Sequence, residues 1–174
     1  MAKENKTKYV ILGLLVDQPM TGYDIKEFIK RSTAYFWQES DASIYPTLKL
    51  LAQEKMVNCE TVFIGKKRKD IYSITEKGIT EFNSWFNRTP APDTRKHEFL
   101  LKLFFTHTKN KKDMRKHCKQ RLDELQNLLK EYQEIERSLQ KHYPQKKYWI
   151  KTVQNGIAHI ELDLSWIQKE TEGF

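Results

Sequence analysis

The 174-residue chain has only two cysteines, Cys59 and Cys118, far apart and outside any C-x-x-C spacing. That argues against a disulfide framework or a zinc knuckle and fits a reducing cytoplasm. Long apolar runs are also missing. The longest, Tyr9 to Val16, is too short to cross a bilayer and lacks the small-residue cleavage site of a signal peptide. Catalytic signatures are scarce. Five scattered histidines (His97, His107, His117, His142, His159) come with no H-E-x-x-H, no glycine-rich phosphate loop and no G-x-S-x-G. The composition predicts a soluble, cytoplasmic, non-enzymatic protein with no cofactor, metal or membrane partner.

Positive charge is plentiful. Lys plus Arg number 31 against 23 acidic residues, a net charge of +8. The excess falls on both halves, +3 over residues 1–88 and +5 over 89–174. Such a chain favours an anionic partner such as nucleic acid, but net charge says nothing about fold. The argument must therefore rest on where motifs lie.

The stretch Asp41 to Val57 is the most informative. As a helix it buries Ile44, Leu48 and Leu51 at spacings of four and three, with Leu50 flanking. Ser43 is placed as N-cap and Pro46 in the first turn, where no hydrogen bond is lost. Ser43, Tyr45, Pro46, Thr47 and Lys49 then sit toward the exposed N-terminal end, where backbone amides and the helix dipole favour phosphate. Alone, the stretch reads equally as a recognition helix or as a capped core helix with a polar face.

Its surroundings tip the balance. A first helix spans Lys8 to Asp17 and is apolar nearly all round, Pro19 stops it, and Thr21 caps a second helix carrying Tyr23, Ile25, Phe28 and Ile29. An aromatic connector, Tyr35, Phe36 and Trp37, leads to the third helix. The period then changes to two from Val57 to Ile64. A basic turn (Gly65, Lys66, Lys67, Arg68, Lys69, Asp70) precedes a return strand from Ile71. Three helices followed by a hairpin with four consecutive cations predict a winged helix-turn-helix, its tip reaching phosphates beside the groove that the third helix occupies. Thr75 caps a fourth helix bearing Ile79, Phe82, Trp85 and Phe86.

Pro90 and Pro92 mark a linker, so residues 1–89 are read as the DNA-binding domain and 90–174 as a helical dimerisation domain. Thr94 opens a helix with Phe99, Leu100, Leu103 and Phe104. A helix from Lys111 to Tyr143, broken by Pro144, carries an apolar stripe including Leu122, Leu125, Leu129, Tyr132 and Ile135. A last helix, about Lys146 to Gln168, carries Trp149, Val153 and Ile157. A second subunit is expected to cover what the hairpin partner leaves exposed of these eight residues. The fold class is thus mainly α with a small β-hairpin wing.

With these residues in view, the chain resembles the PadR family of bacterial transcriptional regulators. The matching segments are Tyr9 to Leu15, Thr21 to Ile25, Ser43 to Leu51 and Tyr72 to Gly78, in the family's order and spacing. The second half is similar to the larger subgroup, with a virulence-activator-like helical domain. Two positions depart from the pattern. Lys55 stands where the family often has Gly, and the wing lacks the usual proline and has an acid, Asp70, where a base is usual. The resemblance implies a homodimeric repressor on a pseudo-palindromic double-stranded operator, with half-sites one or two helical turns apart. Tyr23, Ser43, Tyr45, Lys49 and the wing cations are expected on phosphates, with Thr47 and Ser43 as readers of bases. Thr21 and Pro46 belong to the same surface.

The family's response to small molecules, phenolic acids among them, implies an effector. Tyr35, Phe36, Trp37, Phe99, Phe104, Tyr148 and Trp149 are the aromatics that would line its pocket, although aromatics at helical spacing are more often core. Two other readings compete. In a metal-responsive regulator Cys118 would act with His117 or His107, but adjacent residues diverge by about a hundred degrees on a helix. In a purely helical interaction module, the basic stretch from Lys109 to Arg121 would do the work and the wing would have no purpose.

Overall fold

The computed structural model describes residues 5–33, 36–37, 41–65, 67–92, 96–106, 111–143 and 146–172. Tyr35, Lys66, Thr94, His107 and Pro144 lie outside them. The chain forms two compact units, Met1–Pro92 and Asp93–Phe174. No described helix is long and apolar enough to cross a membrane.

The first unit runs α1 (Thr7–Asp17), β1 (Met20–Thr21), α2 (Gly22–Ser32), α3 (Asp41–Gln53), β2 (Val57–Ile64), β3 (Lys67–Ile74) and α4 (Glu76–Phe86). Its three antiparallel strands are ordered β1-β3-β2. β1 went unseen in the sequence because two residues carry no periodicity. It pairs Met20 with Tyr72 and so ties the start of α2 to the hairpin. The core joins Ile11, Leu12 and Leu15 of α1, Ile25 and Ile29 of α2, Ile44, Leu48 and Leu51 of α3, and Met20, Met56 and Val57. Thr21 caps α2 in a reciprocal capping box with Asp24. Thr75 caps α4 by accepting from the Gly78 amide at 3.2 Å.

Beside that core, α1 meets α4 through polar and aromatic contacts. The Tyr9 and Trp85 rings stack at 4.6 Å, while Lys8 Nζ and the Tyr9 hydroxyl both donate to Glu81 Oε1, at 2.8 and 3.1 Å. The Lys8 hydrogen bond, reinforced by Tyr9, holds the Glu81 carboxyl below the ordinary range. Partial burial works against the Lys8 ammonium, but its bonds to Glu81 and Tyr9 outweigh that and raise its pKa. Phe86, expected on the packed face of α4, is 71 % exposed.

Two expectations for α3 are corrected. The helix already begins at Asp41, so Ser43, expected as its N-cap, lies inside it and Pro46 is in the second turn. A proline there removes the amide that would have bonded to residue 42. α3 ends in a Schellman motif: the Met56 amide donates to the Leu51 carbonyl at 2.9 Å and the Lys55 amide to Ala52 at 3.1 Å. Lys55 has φ of +58°, the left-handed conformation that glycine adopts without strain. Thr75 and Gly78 close against this end, Thr75 Oγ1 bonding the Lys55 and Met56 carbonyls at 2.9 and 3.0 Å. A Cβ on Gly78 would collide with the Met56 carbonyl oxygen.

The second unit contains α5 (Glu98–Phe104), α6 (Lys111–His142) and α7 (Lys147–Glu172). α6 and α7 form an antiparallel hairpin, with Gln154 donating to Glu136 at 2.7 Å. Met114, Cys118, Leu125 and Tyr132 pack with Val153, Ile160, Leu164 and Ile167 in its buried seam.

Candidate nucleic-acid interface

In α3 the buried positions Ile44, Thr47, Leu48 and Leu51 alternate with an outward stripe of Ala42, Tyr45, Pro46, Lys49 and Gln53. Ala42 and Gln53 were missed in the sequence. Ala42 lies three residues before Tyr45, a spacing hidden when the helix was started at Ser43. Thr47 was the expected base reader and is only 4 % exposed. Its hydroxyl donates to the Ser43 carbonyl at 2.7 Å and accepts from Asn5 Nδ2 at 3.2 Å. Thr47 therefore holds α3 together internally and faces away from any ligand on the outward stripe.

Tyr45 is half exposed, and its ring covers Gly22 at the start of α2, where an added Cβ would come within 2.8 Å of it. Tyr23, one residue on, is 63 % exposed. Thr21 is half-buried and its hydroxyl is bonded to Asp24 at 2.7 Å, so the capping box occupies it. Tyr23, Tyr45, Pro46 and Lys49 remain as an exposed group of aromatic, apolar and cationic side chains.

The wing differs from a simple charged tip. β3 begins at Lys67, four residues before the expected strand, so Lys67, Arg68 and Lys69 lie on the strand and alternate between its faces. The register pairs Thr61 with Asp70, Phe63 with Arg68 and Cys59 with Tyr72. Arg68 and Asp70 thus share a face with Cys59 and Tyr72, and Lys67 and Lys69 occupy the other. Burial raises the Tyr72 pKa, with further contributions from Cys59, Asp70 and Tyr45. On that face Tyr72 and Ile74 pack against the core that includes Ile44, Leu48 and Leu51 of α3. On the same face, Arg68 Nε lies 3.2 Å from Asp70 Oδ1 and one terminal nitrogen 3.4 Å from Oδ2. Thr61 Oγ1 donates to Asp70 Oδ1 at 2.7 Å. The Thr61 bond, and then the Arg68 guanidinium, hold the Asp70 carboxyl below its usual range.

Within the second unit, Phe99, Phe104 and the pair Tyr148 and Trp149 lie apart. Phe99 lines a cleft of about 350 Å³ with His97, Leu100, Arg121, Leu162 and Trp166. Tyr148 and Trp149 lie beside the hairpin turn, where Trp149 packs near Tyr143. That is about 25 Å along α7 from Trp166, at 1.5 Å per residue. Phe104 is 72 % exposed, and Phe36 and Trp37 are exposed in the first unit.

The dimerisation residues also divide. Leu125, Tyr132 and Val153 are buried in the hairpin seam of one chain, which leaves them no area for a partner. Leu122, Leu129, Ile135, Trp149 and Ile157 are half-buried. Cys118 is buried in the same seam and points into packing, while Cys59 is exposed on the wing. No group of three or more metal-ligating side chains occurs among the described residues.

Comparison with known proteins gives this geometry a context. Residues 11–84 match the transcriptional regulator PadR-like family, and residues 95–172 match the virulence activator alpha C-terminal family. The negative transcriptional regulator PadR of Bacillus subtilis is 40% identical over 100 residues, 56% of this chain and 55% of that protein. The sequence match thus spans about half the length of that relative. Fold similarity extends further. The crystal structure of B. subtilis PadR in complex with operator DNA superposes with a TM-score of 0.90 at 26% identity, covering 99% of both chains. Its complex with p-coumaric acid gives 0.81 at 26% identity, covering 97% of this chain and 98% of the other. The first half of this chain is thus a transcriptional regulator PadR-like domain, and the second a virulence activator alpha C-terminal domain.

Proposed function

We infer that this regulator is a homodimeric repressor that binds a pseudo-palindromic operator and is released by a small aromatic acid. The observation that carries the reading is the outward stripe of α3, Ala42, Tyr45, Pro46, Lys49 and Gln53, standing beside a hairpin that carries Lys67, Arg68 and Lys69. α3 enters the major groove. Lys49, Tyr23, Tyr45 and Ser43 meet phosphates, and Thr21 and Pro46 border the same surface. Gln53 and the Ala42 methyl take the base-reading role that the burial of Thr47 vacates, because Gln can pair bidentately with adenine and a methyl can meet thymine. The wing cations, Lys66 included, contribute a salt-sensitive attraction to the backbone. The operator complex of B. subtilis PadR supports this reading through its shared fold.

Two copies join through the apolar surface left exposed on the helical unit: Leu100, Leu101, Phe104 and Phe105 of α5 and Leu162 of α7. That surface carries the association together with the half-buried Leu122, Leu129, Ile135, Trp149 and Ile157. The effector seats its ring against Phe99 and Trp166 and its carboxylate near His97 and Arg121. The p-coumaric acid complex of the Bacillus protein supports that ligand class. Such a ligand releases DNA only by binding the DNA-free arrangement more tightly.

Fluorescence anisotropy on DNA from the gene's own upstream region, against scrambled DNA and across a salt series, tests the whole reading. Preferential binding of two protomers with a steep salt slope, reversed by p-coumaric acid, is the expected result. Equal affinity for both DNAs at every salt concentration would overturn sequence-specific regulation.

A further inference from the structure

We propose that Asp70 is a positioning residue of the wing, which restrains Arg68 and so limits the wing's attachment to DNA of any sequence. The inference rests on the DNA-binding reading above and concerns this chain's own departure at position 70.

Three observations converge. First, the β2–β3 register puts Asp70 and Arg68 on the face shared with Tyr72 and Ile74, which pack against the core. That places the acid beside Arg68 and on the opposite face from Lys67 and Lys69. Second, the pair is held side-on by two contacts, Nε to Oδ1 at 3.2 Å and a terminal nitrogen to Oδ2 at 3.4 Å. This geometry occupies one edge of the guanidinium and offsets its charge. Third, Thr61, the cross-strand neighbour, donates to the same carboxylate at 2.7 Å and fixes it between the strands.

The wing therefore holds fewer unopposed cations than its composition suggests. Arg68 is drawn toward Asp70 and away from phosphate. This restraint weakens binding to any sequence. Because the wing meets the backbone and not base edges, operator and scrambled DNA lose affinity alike, and the ratio between them is left to α3. The pair is exposed, with side chains 65 % and 37 % accessible, so it restrains Arg68 without locking it.

The test compares wild type with Asp70→Asn, Asp70→Glu, Arg68→Ala and the double variant Arg68→Ala/Asp70→Asn. Binding to upstream and scrambled duplexes is measured by anisotropy across a salt series. Asp70→Asn is expected to tighten binding to both duplexes about threefold to tenfold and to steepen the salt slope by about 0.9, the value of one further phosphate contact. Asp70→Glu keeps the wild-type slope, and in the Arg68→Ala background the Asp70→Asn gain disappears. An Asp70→Asn protein that binds scrambled DNA no more tightly than wild type overturns the proposal, as does a gain that survives Arg68→Ala. If the wild type shows no salt-dependent binding to either duplex, the DNA-binding reading falls and takes this one with it. Circular dichroism of each variant separates these outcomes from loss of fold.

Discussion

Lys55 shows how one residue can carry a cost that its neighbours tolerate. Its left-handed backbone costs a side-chain-bearing residue about 1–2 kcal/mol. Glycine there would be unstrained but would lose about 0.5–1 kcal/mol through its freer unfolded chain. The first effect is larger, so Lys55→Gly is expected to stabilise the first unit by about 0.5–1 kcal/mol, read as a higher urea midpoint with unchanged m-value. Glu81 makes a second residue-scale prediction. Its folded pKa lies below the ordinary 4.5, so its contribution is complete above that value and is lost as pH falls through the lower folded one. Glu81→Gln should flatten the acid limb of stability below about pH 4.5 and leave neutral-pH folding intact, as thermal melts across pH 3–7 would show. The departure at position 55 was legible in the sequence as a lysine where glycine is usual. The Lys8–Tyr9–Glu81 cluster was not, because it joins residues more than seventy positions apart and no local period announces it.

At the scale of the element, α3 is the clearest case of partial legibility. The spacing of Ile44, Leu48 and Leu51 identified the helix and its buried side correctly. The helix start was placed one turn too late because Ser43 and Pro46 together imitate an N-terminus. That error exchanged Thr47 for Ala42 among the outward positions. The consequence is testable: Thr47→Val should lower stability by about 1 kcal/mol, the usual worth of a hydrogen bond, and leave the ranking of operator variants unchanged. Lys49→Ala should instead weaken binding to every duplex and reduce the salt slope by about 0.9, with stability untouched. The hairpin was likewise found by its alternation. The extent of β3 was hidden because a run of cations carries no apolar period, so the pairing of Arg68 with Asp70 could come only from register.

At the scale of the whole molecule, the two-part organisation follows from Pro90 and Pro92 and from the change of pattern after them. What could not be read was how the long helices divide their apolar stripe. α6 and α7 each carry one, and sequence periodicity does not say whether a neighbour in the same chain or a second copy covers it. The structure assigns Leu125, Tyr132 and Val153 to the chain itself and leaves Leu101 and Phe104 outermost on α5. Leu101→Glu with Phe104→Glu is therefore expected to convert a dimer to monomers in sedimentation velocity and to abolish cooperative occupation of two half-sites. The hairpin's helicity should be retained. Tyr45 lies over Gly22, and this joins two positions across evolutionary time. Any larger residue at 22 displaces the ring, and loss of the ring uncovers the start of α2. Among descendants of this gene, positions 22 and 45 should change together or not at all, and divergence in operator preference should begin at Ala42 and Gln53, where a single substitution disturbs nothing beneath it.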